Sequence, residues 1–415
     1  MTGQGRLAQG ASGWRSALAW GFGAALAHRL LLTIWMAAIW TLMSGNLPDN
    51  QIDFHNTADL PSLSETEGQL LGVWRRWDAV HYLDLALNGY RPENIGATVF
   101  SPLAPALFRA ADLLVPGGVD LAAALVQTIA FGAALTLLHR FISVYYGDRA
   151  LAPWGVGLMA LLPISFYFAA PMTESIYLAL TLAALYAAVR QRWRLAAVCG
   201  LLAALARSQG ALLIGAAGLI LLEQVWDGRW TLSSLWQAAK TSVQRGWMLA
   251  IMPLGVVGFQ LYRGSLGLPP LDTVFLEYSY VILVNPIEGI LLCLRHIVTR
   301  PDEAVRNLDV WAFGISFILG IGLLISRRHR RAPLIAYTLG FWAVYTGKMN
   351  YYWGTDELFF VQSFARYTLA LFPIWVLVAD GLRHGGFWVR IVGVGALMLA
   401  LAFFSALFPL ALVGP

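Results

Sequence analysis

The sequence predicts an all-α polytopic membrane protein, and three observations predict it. Of its residues 58% are hydrophobic and only 12% charged, where an ordinary soluble domain is about 45–50% apolar and about 25% charged. That excess cannot be hidden in one soluble core. Apolar runs of membrane length recur along the chain, and about 20 apolar residues cross the hydrocarbon of a bilayer. Basic residues gather in short segments between those runs, RQRWR at 190–194 and RRHRR at 327–331. Short cytoplasmic loops are enriched in this way.

Taken in order, the chain opens on the polar stretch MTGQGRLAQGASGWRS. The apolar run that follows is too long for the core of a cleavable signal, so the first span is expected to act as the targeting signal as well. About eleven spans are expected, at 18–43, 119–141, 152–169, 173–190, 194–207, 209–226, 246–263, 309–326, 332–347, 366–382 and 387–412. They form one integral membrane domain over 1–415. Three segments interrupt the pattern: 44–118, 264–308 and 348–365.

Placing the N-terminus in the cytoplasm puts most basic residues inside and most acids outside, as the positive-inside rule expects. All three interrupting segments then face outward, with the tight connection AAPMTES at 169–175. FSPLAPALFRAADLLV at 100–115 and SYVILVNPIEGILLCLRHIV at 279–298 are broken by proline or charge. They read as amphipathic helices lying on the non-cytoplasmic face. Counting the second as a span would send RRHRR outside. A net charge of +5 and a pI near 9.3 follow from basic cytoplasmic loops and do not call for nucleic acid as a partner. Cys199 and Cys293 sit in different apolar segments, so neither a disulfide framework nor a thiolate metal site is expected. No repeat of 20–50 residues is visible, and inverted halves of the transporter kind are not evident.

The outward face collects the residues that can do chemistry. WRRWDAVHYLDLALNGY at 74–90 is the densest stretch. On a helix Asp78, His81 and Tyr82 are neighbours. Trp74 and Trp77 suit the membrane interface, and Arg75 and Arg76 suit lipid headgroups. A carboxylate there can act as general base toward a hydroxyl; the plain alternative is an interfacial helix with a solvated aspartate. Glu174 opens a span after Pro171, where the helix dipole favours an acid or where it positions an acceptor or a cation. Arg207 joins two apolar runs, either as a snorkelling side chain or as a phosphate ligand. Lys348, Arg366 and Tyr367 flank the third outward segment, where cations await an anionic ligand or pair with Asp356 or Glu357. HExxH and HxxxH spacings are absent, as are GxGxxG and Walker loops. A soluble nucleotide donor is therefore not expected.

These blocks resemble the PIG-V family, the mannosyltransferases that add the second mannose of GPI anchors, and their prokaryotic relatives. RWDAVHYLDLALNGY followed by FSPLAPAL is similar to that family's first outward loop. PISFYFAAPMTESIYLALTLAALYAAVRQRWRLAAVCGLLAALARSQGALL is similar to its next block, and LYRGSLGLPPLDTVFLEYSY and SFARYTLALFP to later ones. The resemblance implies a GT-C-like bundle and a sugar donor carried on a polyprenyl phosphate. It implies Asp78 as the base that deprotonates an acceptor hydroxyl, with inversion at the anomeric carbon. Arg207, Lys348, Arg366 and His81 would stabilise the leaving phosphate. Trp77, Tyr82, Glu174 and Tyr367 would line the acceptor cavity. No metal is required if those cations suffice, although Glu174 leaves a divalent ion open. Met172 departs from the aromatic type the family shows there, and the prokaryotic style of the chain removes a GPI acceptor. The expected partners are a lipid-linked sugar, a glycolipid or glycan acceptor and membrane lipid. Two other readings stand beside this one: a transporter or flippase of lipid-linked sugars, and a transferase acting on protein hydroxyls.

Overall fold

The computed structural model describes residues 3–46, 60–351, 358–359 and 363–410. Among the described residues 19 helices make the chain 80% helical with almost no sheet, so the fold is all-α. Five helices are long and apolar enough to cross a membrane: Gly13–Met43, Gly118–Tyr146, Ser208–Val225, Leu308–Ile325 and Phe387–Leu407. A sixth crossing arises if Phe364–Ala370 and Phe372–His384, bent by 77°, count as one span. It is a membrane protein on this evidence.

The remaining expected spans are shorter helices, and proline explains several of them. The run at 152–169 is helical only over Leu151–Leu161, with Pro163 just beyond. The run at 246–263 is split at Pro253 into a 3-10 turn, Trp247–Ile251, and a helix, Leu254–Ser265. Proline has no N–H to give and clashes with the preceding turn. The helix Ala332–Thr346 has 15 residues; at 1.5 Å per residue it is about 22 Å long, short of the roughly 30 Å hydrocarbon.

Of the two stretches expected as amphipathic surface helices, the first forms the helix Leu103–Asp112. The second divides. Val281–Leu283 is a strand, and only Pro286–Thr299 is helical, capped by the Asn285 side chain, which accepts from the Ile287 N–H at 2.9 Å. β-Branched Val281 and Ile282 favour the extended state, and Pro286 suits a first helical position. This strand β1 pairs antiparallel with β2, Lys348–Tyr351, which pairs with β3, Leu358–Phe359; Leu283 lies opposite Lys348 and Tyr351 opposite Leu358.

The chain divides into two compact units. The first comprises 1–89, 103–182 and 378–414. Its centre is the packing of Gly3–Met43 against Gly118–Phe141, joined by Leu151–Leu161 and Phe387–Leu407, with Asp78–Asn88 and Leu103–Asp112 alongside. The two long helices approach closely because Gly21 faces Thr136: a Cβ at Gly21 would lie 2.5 Å from the Thr136 backbone nitrogen. The second unit comprises 90–102 and 183–377. There Pro286–Thr299 crosses Ala332–Thr346 at Gly289, where a Cβ would lie 1.6 Å from the Thr346 carbonyl oxygen.

Backbone contacts this close cannot be relieved by a side-chain rotation. Gly21→Ala and Gly289→Ala are each expected to lower stability by about 1–3 kcal/mol, read as a drop in the thermal unfolding midpoint of the detergent-solubilised protein. Gly23→Ala, at a position with open space around it, should leave the midpoint unchanged.

Candidate functional site

The first unit holds Trp77, Asp78, His81, Tyr82 and Glu174. The helix that carries three of them starts at Asp78 and runs to Asn88. Trp77 precedes it with φ 53° and ψ −133°, a conformation that costs a bulky L-residue free energy and is held only when its surroundings over-determine it. Asp78 and His81 are half-buried, whereas Tyr82 is buried. Asp78 thus stands in the first turn, where the helix dipole favours a carboxylate, directly after a strained residue.

What holds that turn is a set of buried cations. Arg75 and Arg76 do not face lipid headgroups: both are fully buried. Arg75 forms a two-pronged ion pair with Asp120, Nε to Oδ1 at 2.6 Å and Nη2 to Oδ2 at 2.5 Å, and Nη1 donates to the Pro61 carbonyl at 2.8 Å. Arg76 Nε donates to the Pro409 carbonyl at 2.7 Å, and its guanidinium lies 5.2 Å from the Trp40 ring centroid. Burial pulls the Arg76 guanidinium down to about 10. Trp74 is not an interfacial residue either. It is 3% exposed, packs on Phe408, and lies under the Arg29 guanidinium at 4.9 Å. The physical reason is shared: a planar, weakly hydrated guanidinium tolerates burial when carboxylate, carbonyl and aromatic partners are all supplied.

Glu174 begins the helix Glu174–Val189 and is 3% exposed. The connection before it is longer than the tight turn expected, running from Leu162 to Thr173. Residues 164–178 are buried without exception, with a 3-10 turn at Ser165–Phe168. Irregular backbone inside an apolar region needs polar partners from the protein, and it has them. Arg29 Nη2 donates to the Ala169 carbonyl at 2.5 Å, the Gln127 amide donates to the Met172 carbonyl, and Ser175 Oγ donates to the Phe168 carbonyl at 2.5 Å. His28 Nε2 lies 3.1 Å from Ser165 Oγ.

The second unit holds Arg207, Lys348, Arg366 and Tyr367, and it brings three of these together. The Arg207 guanidinium lies 4.8 Å from the Tyr367 ring centroid and that of Arg366 lies 5.2 Å from the same centroid. Tyr367 also stacks on Tyr345, centroids 3.9 Å apart and planes 24° apart. All four side chains are buried. Lys348 is engaged elsewhere: its Nζ lies 4.5 Å from the Phe275 ring centroid, on the strand facing Leu283. Asp356 and Glu357, considered as partners for the cations, lie outside the described residues.

The short helix Phe364–Tyr367 that presents Arg366 is fixed from below. Asp309 accepts from the backbone N–H of Ser363 at 2.8 Å and of Ala365 at 2.7 Å, and Ser363 turns the chain with φ 66°. The break before Phe372–His384 frees carbonyls, and two are taken by side chains: Trp375 Nε1 donates to Thr368 at 2.8 Å and Tyr337 OH donates to Ala370 at 3.0 Å. Arg263, also fully buried, donates from Nε and Nη2 to the carbonyl and hydroxyl of Thr98 at 3.0 and 3.1 Å.

Sequence reasoning missed Asp120, Asp309, Arg29 and Arg263. Asp120 and Asp309 each open a long apolar helix, the one signal available, and either reads locally as a charge suited to the dipole. Among the described residues no three His, Cys, Asp or Glu side chains group as metal ligands. Comparison with protein-family models finds no match for this chain, and comparison with curated proteins finds none.

Breaking a buried ion pair by removing one partner costs about 3–5 kcal/mol, while replacing both by apolar residues costs far less. Arg75→Met and Asp120→Leu should therefore each lower the thermal midpoint sharply, and the double variant should lose much less than the two losses combined. Additive losses would show that the pair is not energetically coupled.

Proposed function

We propose that the protein is an integral membrane glycosyltransferase that moves a hexose, mannose being the first candidate, from a polyprenyl-phosphate donor to a hydroxyl of a glycolipid or glycan. The observation that carries this reading is the pair Arg207 and Arg366 on one buried tyrosine. The donor's phosphodiester carries one negative charge, and the polyprenyl phosphate that leaves gains a second, which nearby positive charge stabilises. Guanidinium groups suit phosphate oxygens because their donors are planar and forked. Arg207 and Arg366 are assigned to the donor phosphate, with Tyr367 as their platform. Lys348 and His81 are assigned weaker electrostatic roles toward the same group.

Asp78 is assigned as the general base. Its carboxylate takes the proton of the acceptor hydroxyl as that oxygen attacks the anomeric carbon. The bond from the sugar to the phosphate breaks, and polyprenyl phosphate departs with the electron pair. The strained Trp77 before it supports the assignment, since such strain concentrates at working sites. Trp77, Tyr82 and Glu174 are assigned to the acceptor. The reading also includes a GT-C-like bundle of about eleven crossings, a cytoplasmic N-terminus and chemistry on the opposite face, in keeping with the distribution of Lys and Arg.

A second reading has its own observation. The helix pair broken by 77° after Ala370, and the buried His28 and half-buried Arg29 within the first span, are features that transporters use near mid-membrane. On that reading the protein moves a lipid-linked sugar intact. Transfer to a protein hydroxyl would leave the same residues in the same roles.

The test uses purified protein in nanodiscs, a panel of polyprenyl-phosphate sugars headed by the mannose form, and a membrane lipid extract as acceptor. Wild type should release polyprenyl phosphate, whereas Asp78→Asn should bind the donor equally well and release none. Arg207→Lys and Arg366→Lys, which keep the charge but lose the fork, should raise the donor KM by roughly tenfold or more at an unchanged thermal midpoint. Release by Asp78→Asn at the wild-type rate would remove Asp78 from the chemical step. Unchanged donor KM in both arginine variants would remove the pair from the phosphate.

A further inference from the structure

The segment 227–245 lies between two of the expected spans, and most of it is helical. Leu232–Gly246 is a 15-residue helix whose N-cap, Thr231, accepts from the Ser234 N–H at 3.3 Å. It follows the membrane-crossing helix Ser208–Val225 after the linker 226–231. It packs on the end of that helix, where a Cβ at Gly246 would lie 2.3 Å from Leu221 Cδ2. A helix fastened at the last turns of a crossing helix lies at the level of the bilayer surface.

Its three sides differ. At 3.6 residues per turn, Ser234, Ala238, Thr241, Ser242 and the exposed Arg245 share one side, which with Gly246 at the end holds its buried and half-buried positions. Leu232, Leu235, Trp236, Ala239 and Val243 share a second arc of about 100°. All five are exposed, Leu232 by 86% and Trp236 by 72%. Trp230 and Trp247 extend this apolar strip past both ends and are exposed too. The third side carries Ser233, Gln237, Lys240 and Gln244, all polar or basic. The helix holds Lys240 and Arg245 and no acid. It is too short and too polar to cross a membrane.

We propose that Leu232–Gly246 is an in-plane anchor that lies on the bilayer, sinks its Leu/Trp/Val strip into the headgroup boundary and binds anionic lipid headgroups through Lys240 and Arg245. A Trp-bearing apolar strip beside basic residues is the composition of helices that bind in this way. Lys240, at the edge of the strip, snorkels to the phosphates, and the exposed Arg245, in the last turn, reaches them along its long stem from the helix end. The occupant is fixed by continuity with the crossing helix, which holds the strip at the lipid surface, and by the positive charge of the rim. The two basic residues make the anchor selective for anionic over zwitterionic lipid.

The test is amide hydrogen exchange of the full-length protein in nanodiscs of phosphatidylcholine alone and of equal phosphatidylcholine and phosphatidylglycerol. The amides of 232–246 should exchange more slowly in the anionic disc, by roughly ten- to thirtyfold for two basic residues near a charged leaflet. Lys240→Gln/Arg245→Gln should lose that increment and keep the protection seen in phosphatidylcholine. Trp236→Ser/Val243→Ser should lose protection in both discs. Amides of 213–221 serve as the internal control for folding and should not change. Equal exchange in the two discs for wild type would overturn the proposal. Protection that rises with the number of protein copies per disc and ignores lipid charge would also overturn it, and would assign the strip to a second copy of the chain.

Discussion

The polar architecture of the first unit depends on the ion pair between Arg75 and Asp120. A guanidinium moved out of water loses several kcal/mol of hydration and has to recover it from fixed partners. Asp120 returns two charge-assisted hydrogen bonds and Pro61 a third. Because Arg75 belongs to the loop and Asp120 to the first turn of a long crossing helix, the pair ties the loop to the rigid frame. Arg76 adds a second tie, to the Pro409 carbonyl. Trp77 can then be held at positive φ, and Asp78 emerges from a turn that has no freedom to relax. The same logic recurs with Arg29, which supplies the hydrogen bond that the irregular backbone at Ala169 needs.

In the second unit the constraint works in the opposite sense. Arg207 and Arg366 are buried over one aromatic ring, and Asp309, which accepts from two backbone amides, also lies in the field of Arg366. Cation–π contact and burial position these groups. Buried charge of this sort marks function more often than structure.

Much of the helical organisation was legible in the sequence because apolar runs report burial directly. The ends of Gly118–Phe141 and Leu308–Ile325 fall within a residue or so of the expected spans. Less legible was where proline stops a run, as at Pro163 and Pro253, since the apolar composition continues past the break. The second half of 279–298 is helical and its start is not, because β-branched residues before Asn285-Pro286 pair with the strand at 348–351, a partner far along the chain. The amphipathic period of 232–246 was present in the sequence but hidden among polar residues. At the candidate sites, Arg207, Arg366 and Tyr367 each carried a local signal. Arg75 and Arg76 carried a misleading one, because charge beside tryptophan suggests the lipid interface until a buried carboxylate 45 positions away is known.

The measurement that bears most directly on the central claim uses a donor labelled separately in its sugar and in its lipid, reconstituted with the wild-type protein in proteoliposomes. The two labels are followed over time by extraction and by protection from an impermeant reagent. Transfer predicts that the sugar label parts from the lipid label and appears in an acceptor, leaving the lipid as its phosphate. Both labels crossing the bilayer together, with the sugar still bound to its phosphate, would contradict the transferase and make the protein a carrier of lipid-linked sugars.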